Sequence, residues 1–192
     1  MRKCKYSTEC GLSGNIVKGV SASSDEPVLF LIGEAPGKDE DAAGVPFVGK
    51  SGQELDMYLS RFTKVDRRHC HITNVVKCRP PDNRDPKVDE IKCCSNHYLN
   101  HELEDIQPAI IGTIGRFATQ FLLGKVTMEK VHGIPVYFGD TIIVPLYHPA
   151  VGLRSSRTMR HIINDFTILG EVARRTTVPR KEEYLEVDYK LL

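Results

Sequence analysis

The chain predicts an α/β fold: a single three-layer αβα domain with a central, mainly parallel four-stranded sheet. Three observations carry this. Four short apolar runs rich in β-branched residues recur along the 192 residues, each ends at Gly, Pro or a polar residue, and longer amphipathic stretches separate them. Strand, helix, strand, helix order is what a parallel sheet covered on both faces requires.

Residues 1–26 form an N-terminal cysteine segment ahead of the first strand, VLFLIGE (28–34). A glycine-rich loop follows, then a helix at GQELDMYLSRF (52–62) and a second strand at HITNVV (71–76). VDEIKCCSNHYLNHELEDI (88–106) reads as a long helix, AIIGTIG (109–115) as the third strand and RFATQFLLGK (116–125) as a helix. TIIVPLYH (141–148) is the fourth strand. Within IPVYFGDTIIVP the Gly-Asp dipeptide between alternating apolar residues predicts a hairpin. TMRHIINDFTILGEVARR (158–175) predicts the last helix, and the alternation in EYLEVDYKLL predicts that the tail, 178–192, adds an edge strand. No internal repeat interrupts this order, so one domain over 1–192 and a monomer are expected.

No run approaches the roughly 18 apolar residues of a membrane span, and no apolar stretch follows the basic start MRKCKYSTEC. An intracellular location, cytoplasmic or nucleoid-associated, is therefore expected, with reduced thiols. Six cysteines in such a compartment read as metal ligands, catalytic groups or core rather than a disulfide framework. The net charge of +1 does not announce nucleic acid, but basic clusters at Arg67 and Arg68, at Arg154, Arg157 and Arg160, and at Arg174 and Arg175 supply local footprints.

The loop GEAPGKDEDAAGVPFVGKSG (33–52) crowds five glycines and two prolines after a strand. It lacks both phosphate-binding patterns, G-x-G-x-x-G and G-x-x-x-x-G-K-[ST], and Asp39, Glu40 and Asp41 would repel a polyphosphate. Glu34 sits at a strand's carboxyl end, where ligands bind in α/β sheets. Phe47 is an aromatic in an otherwise small or polar loop; it is either a stacking platform or core.

GEAPGKDEDAAGVPFVGKSGQELD closely resembles the first active-site motif of the family-4 uracil-DNA glycosylases, the iron-sulfur branch of that superfamily. ITNVVKCRPPDNRDP (72–86) resembles the family's uracil-recognition strand and cysteine loop, AIIGTIGRFA (109–118) the strand and turn after it, and HPAVGLRSSRTMRHIINDF (148–166) its second active-site motif. The resemblance runs from about Cys10 to Phe166. It implies an enzyme that hydrolyses the N-glycosidic bond of deoxyuridine in DNA, releasing uracil and leaving an abasic site at the start of base excision repair. The alternative is a non-catalytic DNA-binding or polymerase-associated iron-sulfur module. A relative that traps the abasic sugar covalently is a third possibility, but that subgroup's basic insertion after the cysteine loop is absent.

The resemblance also implies residues. Gly33, Ala35, Phe47, Asn74 and His148 would line the uracil pocket. Asn74 would read the N3 and O4 edge through an amide that both donates and accepts, Phe47 would stack on the base, and His148 would donate to uracil O2 as charge develops there. Glu34 is the best carboxylate for orienting water or stabilising the sugar cation, with Glu40 and Asp41 as alternatives; Ala35 stands where better-known uracil glycosylases carry Asp. Leu153 would be the wedge that opens the stack, with Arg154, Arg157 and Arg160 on phosphates. A [4Fe-4S] cluster would be held by Cys4, Cys10, Cys78 and Cys94, with Cys4 replacing the first cysteine of the family's C-x-x-C, whose place Ser7 occupies. Cys93, beside Cys94, competes for that position. A zinc site is the rival, because Cys93, His97 and His101 recur at i, i+4, i+8; Cys70 reads as core. Uracil-containing DNA is the expected partner, and a replication or repair protein could bind the C-terminal tail.

Overall fold

The computed structural model describes residues 3–21, 27–152 and 156–174. The predicted edge strand at 178–192 lies outside them. Chain order begins with α1 (Ser7–Cys10), β1 (Val20–Ser21), β2 (Leu29–Gly33), α2 (Lys38–Ala43) and α3 (Lys50–Tyr58), which runs on into a π-helical turn at Leu59–Thr63. After β3 (Cys70–Asn74) come α4 (Val88–Cys94), a second π turn (Ser95–Leu99) and α5 (Asn100–Ile106), one continuous helical run. Then follow β4 (Ile110–Ile114), α6 (Arg116–Leu123), α7 (Met128–Val131), β5 (Val136–Phe138), β6 (Thr141–Leu146), α8 (Pro149–Gly152) and α9 (Ser156–Arg174).

Among the described residues the sheet has six strands in the order β1-β3-β2-β4-β6-β5, not four. The four predicted strands are its parallel centre; β1 and β5 flank them in antiparallel pairing. Two short edges account for the difference. β1 is only Val20 and Ser21, both exposed, too short and too solvated to leave an apolar run. β5 is the first arm of the predicted hairpin and pairs with β6 across Gly139 and Asp140.

All five residues of β2 are buried, and their alternation feeds both sides of the sheet. Leu29 and Leu31 pack with Leu55, Tyr58 and Leu59 of the first helical run and with Ile162, Phe166 and Leu169 of α9. Phe30 and Ile32 pack on the other side with Leu99, Ala118 and Leu123. Burial on both faces is why these strands read as continuous apolar runs. Cys70 is 1% exposed in the first of these cores, as a packing residue should be.

From central β2 the chain passes to β3 on one side and later to β4 on the other. The strand order therefore reverses beside β2, and a crevice opens at the carboxyl ends of the strands, where such sheets bind ligands. Gly33 and Asn74, the last residues of β2 and β3, are register partners at its edge.

Candidate active site and cysteine cluster

A cavity of about 280 Å³ lies in that crevice, lined among others by Glu34, Ala35, Phe47, Asn74 and His148. Its size is near the lower end of small-molecule sites. Three sequence-distant motifs thus meet at one place. Gly33 is required there: a Cβ on it would collide with Asn74 Oδ1 and would stand 2.6 Å from the Phe47 ring.

Phe47 is 7% exposed and has φ of +53°, a backbone region costly for a residue with a side chain. The flanking loop holds it there. Arg67 Nη2 donates to Pro46 O at 2.8 Å, and Glu40 Oε1 accepts the N–H groups of Val48 and Gly49 at 2.9 and 2.8 Å. Gly52 lets α3 press on this turn, since a Cβ at that position would strike the Phe47 carbonyl. The Phe47 ring faces the His148 ring with centroids 6.2 Å apart and 29° between planes.

Among the carboxylates of the first motif, Glu40, Asp41 and Asp56 are engaged in structure, Asp56 by an ion pair with Arg67 at 2.7 Å. Glu40 clips the Phe47 loop and also accepts from Gly37 N at 3.1 Å; Asp41 accepts from Asn15 N at 2.8 Å and ties down the N-terminal segment. Glu34 faces the cavity instead. Burial first, then the nearby Asp85 carboxylate, raises its pKa to about 7, with Arg116 acting against them. Arg116 pairs with Asp85 at 2.8 Å, and neither residue was singled out in the sequence.

His148 is held neutral, because burial lowers its pKa. Ala150 N donates to its Nδ1 at 3.2 Å, so the neutral ring carries its proton on Nε2 and keeps a donor for a ligand. The backbone before it is anchored by fully buried Asp165, whose Oδ2 accepts from Tyr147 N at 3.0 Å while Oδ1 pairs with His132 Nδ1 at 2.8 Å. Beyond α8, Arg157 and Arg160 are exposed on the first turns of α9, three residues apart and so on one face. Leu153 and Arg154 lie outside the described residues.

The cysteines gather behind this site. Cys4, Cys10, Cys78 and Cys94 are all nearly fully buried and pack together with Leu12 and Val76. Cys4, Cys78 and Cys94 are free thiols, but Cys10 is bonded to Cys93 in a disulfide. Cys10, the fourth expected cluster ligand, is thus held in a disulfide here rather than as a free thiol. The geometric reason is α1, which sets Cys10 against α4 where Cys93 faces it, while Cys94, one residue on and about 100° around the helix, turns inward to Cys78. Burial, then the Cys4 and Cys94 neighbours, push the Cys78 thiol up to about 12, and burial raises Cys94. Deprotonating such a set needs a compensating cation, which is what a metal site provides.

The zinc set Cys93, His97 and His101 does not assemble. His101 is exposed and pairs with Glu104 at 3.5 Å, whereas His97 stacks on Tyr6 at 3.6 Å between centroids and meets Glu9 at 2.9 Å. Ligand atoms of Glu9, Cys93 and His97 do come within 4.8 Å of one another, but the Cys93 sulfur is committed to Cys10.

At the strand ends of this mainly parallel sheet, one aromatic ring, one amide and one imidazole thus meet at a single cavity. The model of the uracil DNA glycosylase superfamily matches residues 20–167, and the chain belongs to that superfamily. It is 39% identical to the type-4 uracil-DNA glycosylase of Saccharolobus solfataricus over 86% of this chain and 80% of that one. It is 38% identical to the type-4 enzyme of Thermotoga maritima over 85% of each. A DNA polymerase of Bacillus phage SP01 is 28% identical over 75% of this chain but only 16% of the polymerase. Among the described residues no helix is long and apolar enough to cross a membrane.

Proposed function

We propose that this chain is a uracil-DNA glycosylase that hydrolyses the N-glycosidic bond of deoxyuridine in DNA and so initiates base excision repair. The observation that carries the reading is the convergence of Phe47, Asn74 and neutral His148 on one base-sized cavity in a member of this superfamily. A base inside a duplex cannot be reached there, so the nucleotide is flipped out of the stack into the cavity. Phe47 stacks on the ring. The Asn74 amide reads N3–H and O4, an edge on which cytosine presents the opposite donor and acceptor pattern.

As the bond breaks, negative charge develops on uracil O2, and His148 Nε2–H donates to it from a fixed, desolvated position. Glu34 is the catalytic carboxylate that orients the attacking water or stabilises the sugar cation; Gly33 and Ala35 leave room for the base. Its raised pKa places it between neutral and ionised near neutral pH, as general acid–base work requires. Arg157 and Arg160, with Arg154, neutralise phosphates, and Leu153 is the wedge. The enzyme acts as a monomer inside the cell, and residues 178–192 dock a replication or repair protein.

A [4Fe-4S] cluster fits the gathered thiols, with Cys4, Cys78 and Cys94 as three ligands and Cys10 as the fourth once its bond to Cys93 is reduced. When bound it supplies a structural cross-link between the N-terminal segment, the chain after β3 and α4; the hydrolysis needs no electrons. The phage polymerase match supports a second reading, a polymerase-associated module without catalysis. Release of alkali-labile abasic sites from a labelled uracil oligonucleotide separates the two readings, and Asn74→Ala is the control.

A further inference from the structure

Lys77 is fully buried, which is rare for a lysine and costly unless every N–H is matched. Here the match is complete. Its Nζ donates to Thr73 Oγ1, to Asn74 O at 2.8 Å and to Glu102 Oε2 at 2.7 Å, three acceptors for three donors. Glu102 in turn accepts from Thr73 Oγ1 at 2.7 Å and from Gly19 N at 3.1 Å.

The main chain of Lys77 is fixed as well. Its N–H donates to Cys94 Sγ at 3.5 Å and its carbonyl accepts from Val17 N at 2.8 Å. One residue therefore joins the cysteine cluster to the carbonyl of Asn74. The peptide after Asn74 is gripped from the other side too, because Val75 N donates to Gly33 O at 2.9 Å.

We propose that Lys77 is a positioning residue for base recognition: its ammonium, anchored by Glu102 and Thr73, fixes the Asn74 carbonyl and hence the direction of the Asn74 amide. The proposal rests on Asn74 reading the base. Two simultaneous hydrogen bonds to a flat base tolerate little misplacement, and a shift of about 1 Å in a positioned group costs on the order of 100-fold in rate. A lysine used only for stability would be replaceable by apolar packing, as buried ion pairs often are.

The test uses that difference. Lys77→Met alone leaves the Glu102 carboxylate without its cation, so the informative protein is Lys77→Met with Glu102→Met, purified without oxygen. Its melting temperature and iron content report the fold and the cluster, while kcat, KM for a uracil oligonucleotide and inhibition by free uracil report the pocket. We expect a folded, iron-loaded protein whose kcat falls about tenfold and whose affinity for free uracil falls by a similar factor, about 1.4 kcal/mol, with KM for DNA little changed. Unchanged kcat and uracil inhibition would overturn the proposal.

If the double variant does not fold, Thr73→Val serves instead, since it removes one of the three acceptors that aim the ammonium. It is expected to weaken uracil inhibition about threefold, that is about 0.65 kcal/mol; no change would again refute the link. Asn74→Ala separates the two levels. If that variant keeps its rate and its uracil inhibition, the base-reading assignment fails and takes this proposal with it. If Asn74→Ala is impaired and the Lys77 variants are not, only the positioning link fails.

Discussion

Replacing Glu34 with Gln tests the site through a quantity that a merely exposed carboxylate would not alter. The Glu34 pKa rises from 4.5 to about 7, with burial as the main cause. Between those values the folded chain holds a proton that the unfolded chain has released, so stability falls as pH rises through this window, and the full penalty is present above about 7. At about 1.36 kcal/mol per tenfold change in proton affinity the shift corresponds to about 3.4 kcal/mol. The carboxylate is only half-buried, and solvent screening reduces this to about 1–2 kcal/mol.

Glu34→Gln is neutral throughout, so it is expected to exceed the wild type by that amount near pH 8.5 and to match it near pH 4.5. For a chain of this length the gain is about 2–8 °C in melting temperature. His148 contributes the opposite slope, since its lowered pKa costs stability as pH falls below 6.5; it is present in both proteins and cancels in the difference. Single-turnover excision by the wild type should rise as pH passes through about 7, and in Glu34→Gln that step should vanish with a loss on the order of 100-fold or more. Wild-type and Gln proteins with parallel pH dependence in both melting and rate would refute the assignment of Glu34.

Two other outcomes follow from the same geometry. Cys93→Ala frees Cys10 and is expected to keep iron and acid-labile sulfide at wild-type levels, whereas Cys94→Ala should lose them; metal analysis of anaerobically purified protein decides, and loss in Cys93→Ala would make Cys93 the ligand. Arg157→Gln with Arg160→Gln should flatten the dependence of log affinity on log salt by about 1.8 for duplex DNA, about 0.9 for each phosphate contact, while leaving single-turnover kcat unchanged.

What the sequence disclosed depended on whether the partners of a residue were local. The parallel strands were legible because burial on both faces forces unbroken apolar runs such as Leu29–Gly33. β1 was not, because two exposed residues carry no pattern. Phe47, Asn74 and His148 were legible through motifs, and the fold brings them to one cavity. The groups around them and around Glu34 were not legible, since each depends on a partner far along the chain: Lys77 on Glu102, 25 residues away, His132 on Asp165, 33 away, and, beside Glu34, Arg116 on Asp85, 31 away. A lysine inside the apolar stretch VVKC was the one local signal of the first pair. Glu40 shows the converse, a carboxylate beside the cavity whose lone pairs serve the loop backbone. The Cys10–Cys93 bond spans 83 residues and follows from the approach of α1 to α4, which spacing alone could not reveal.

Whether the cavity at the ends of β2 and β3 excises uracil is decided by one cleavage assay. Anaerobically purified protein is incubated with end-labelled single- and double-stranded oligonucleotides carrying one deoxyuridine, then treated with alkali, beside Asn74→Ala of equal iron content. Strand cleavage at the uracil is expected from the wild type, with a reduction on the order of 100-fold or more in the variant, the range for losing a group that stabilises the reacting base. A folded, iron-loaded wild type that leaves the uracil strand intact would contradict the glycosylase reading and favour the non-catalytic module.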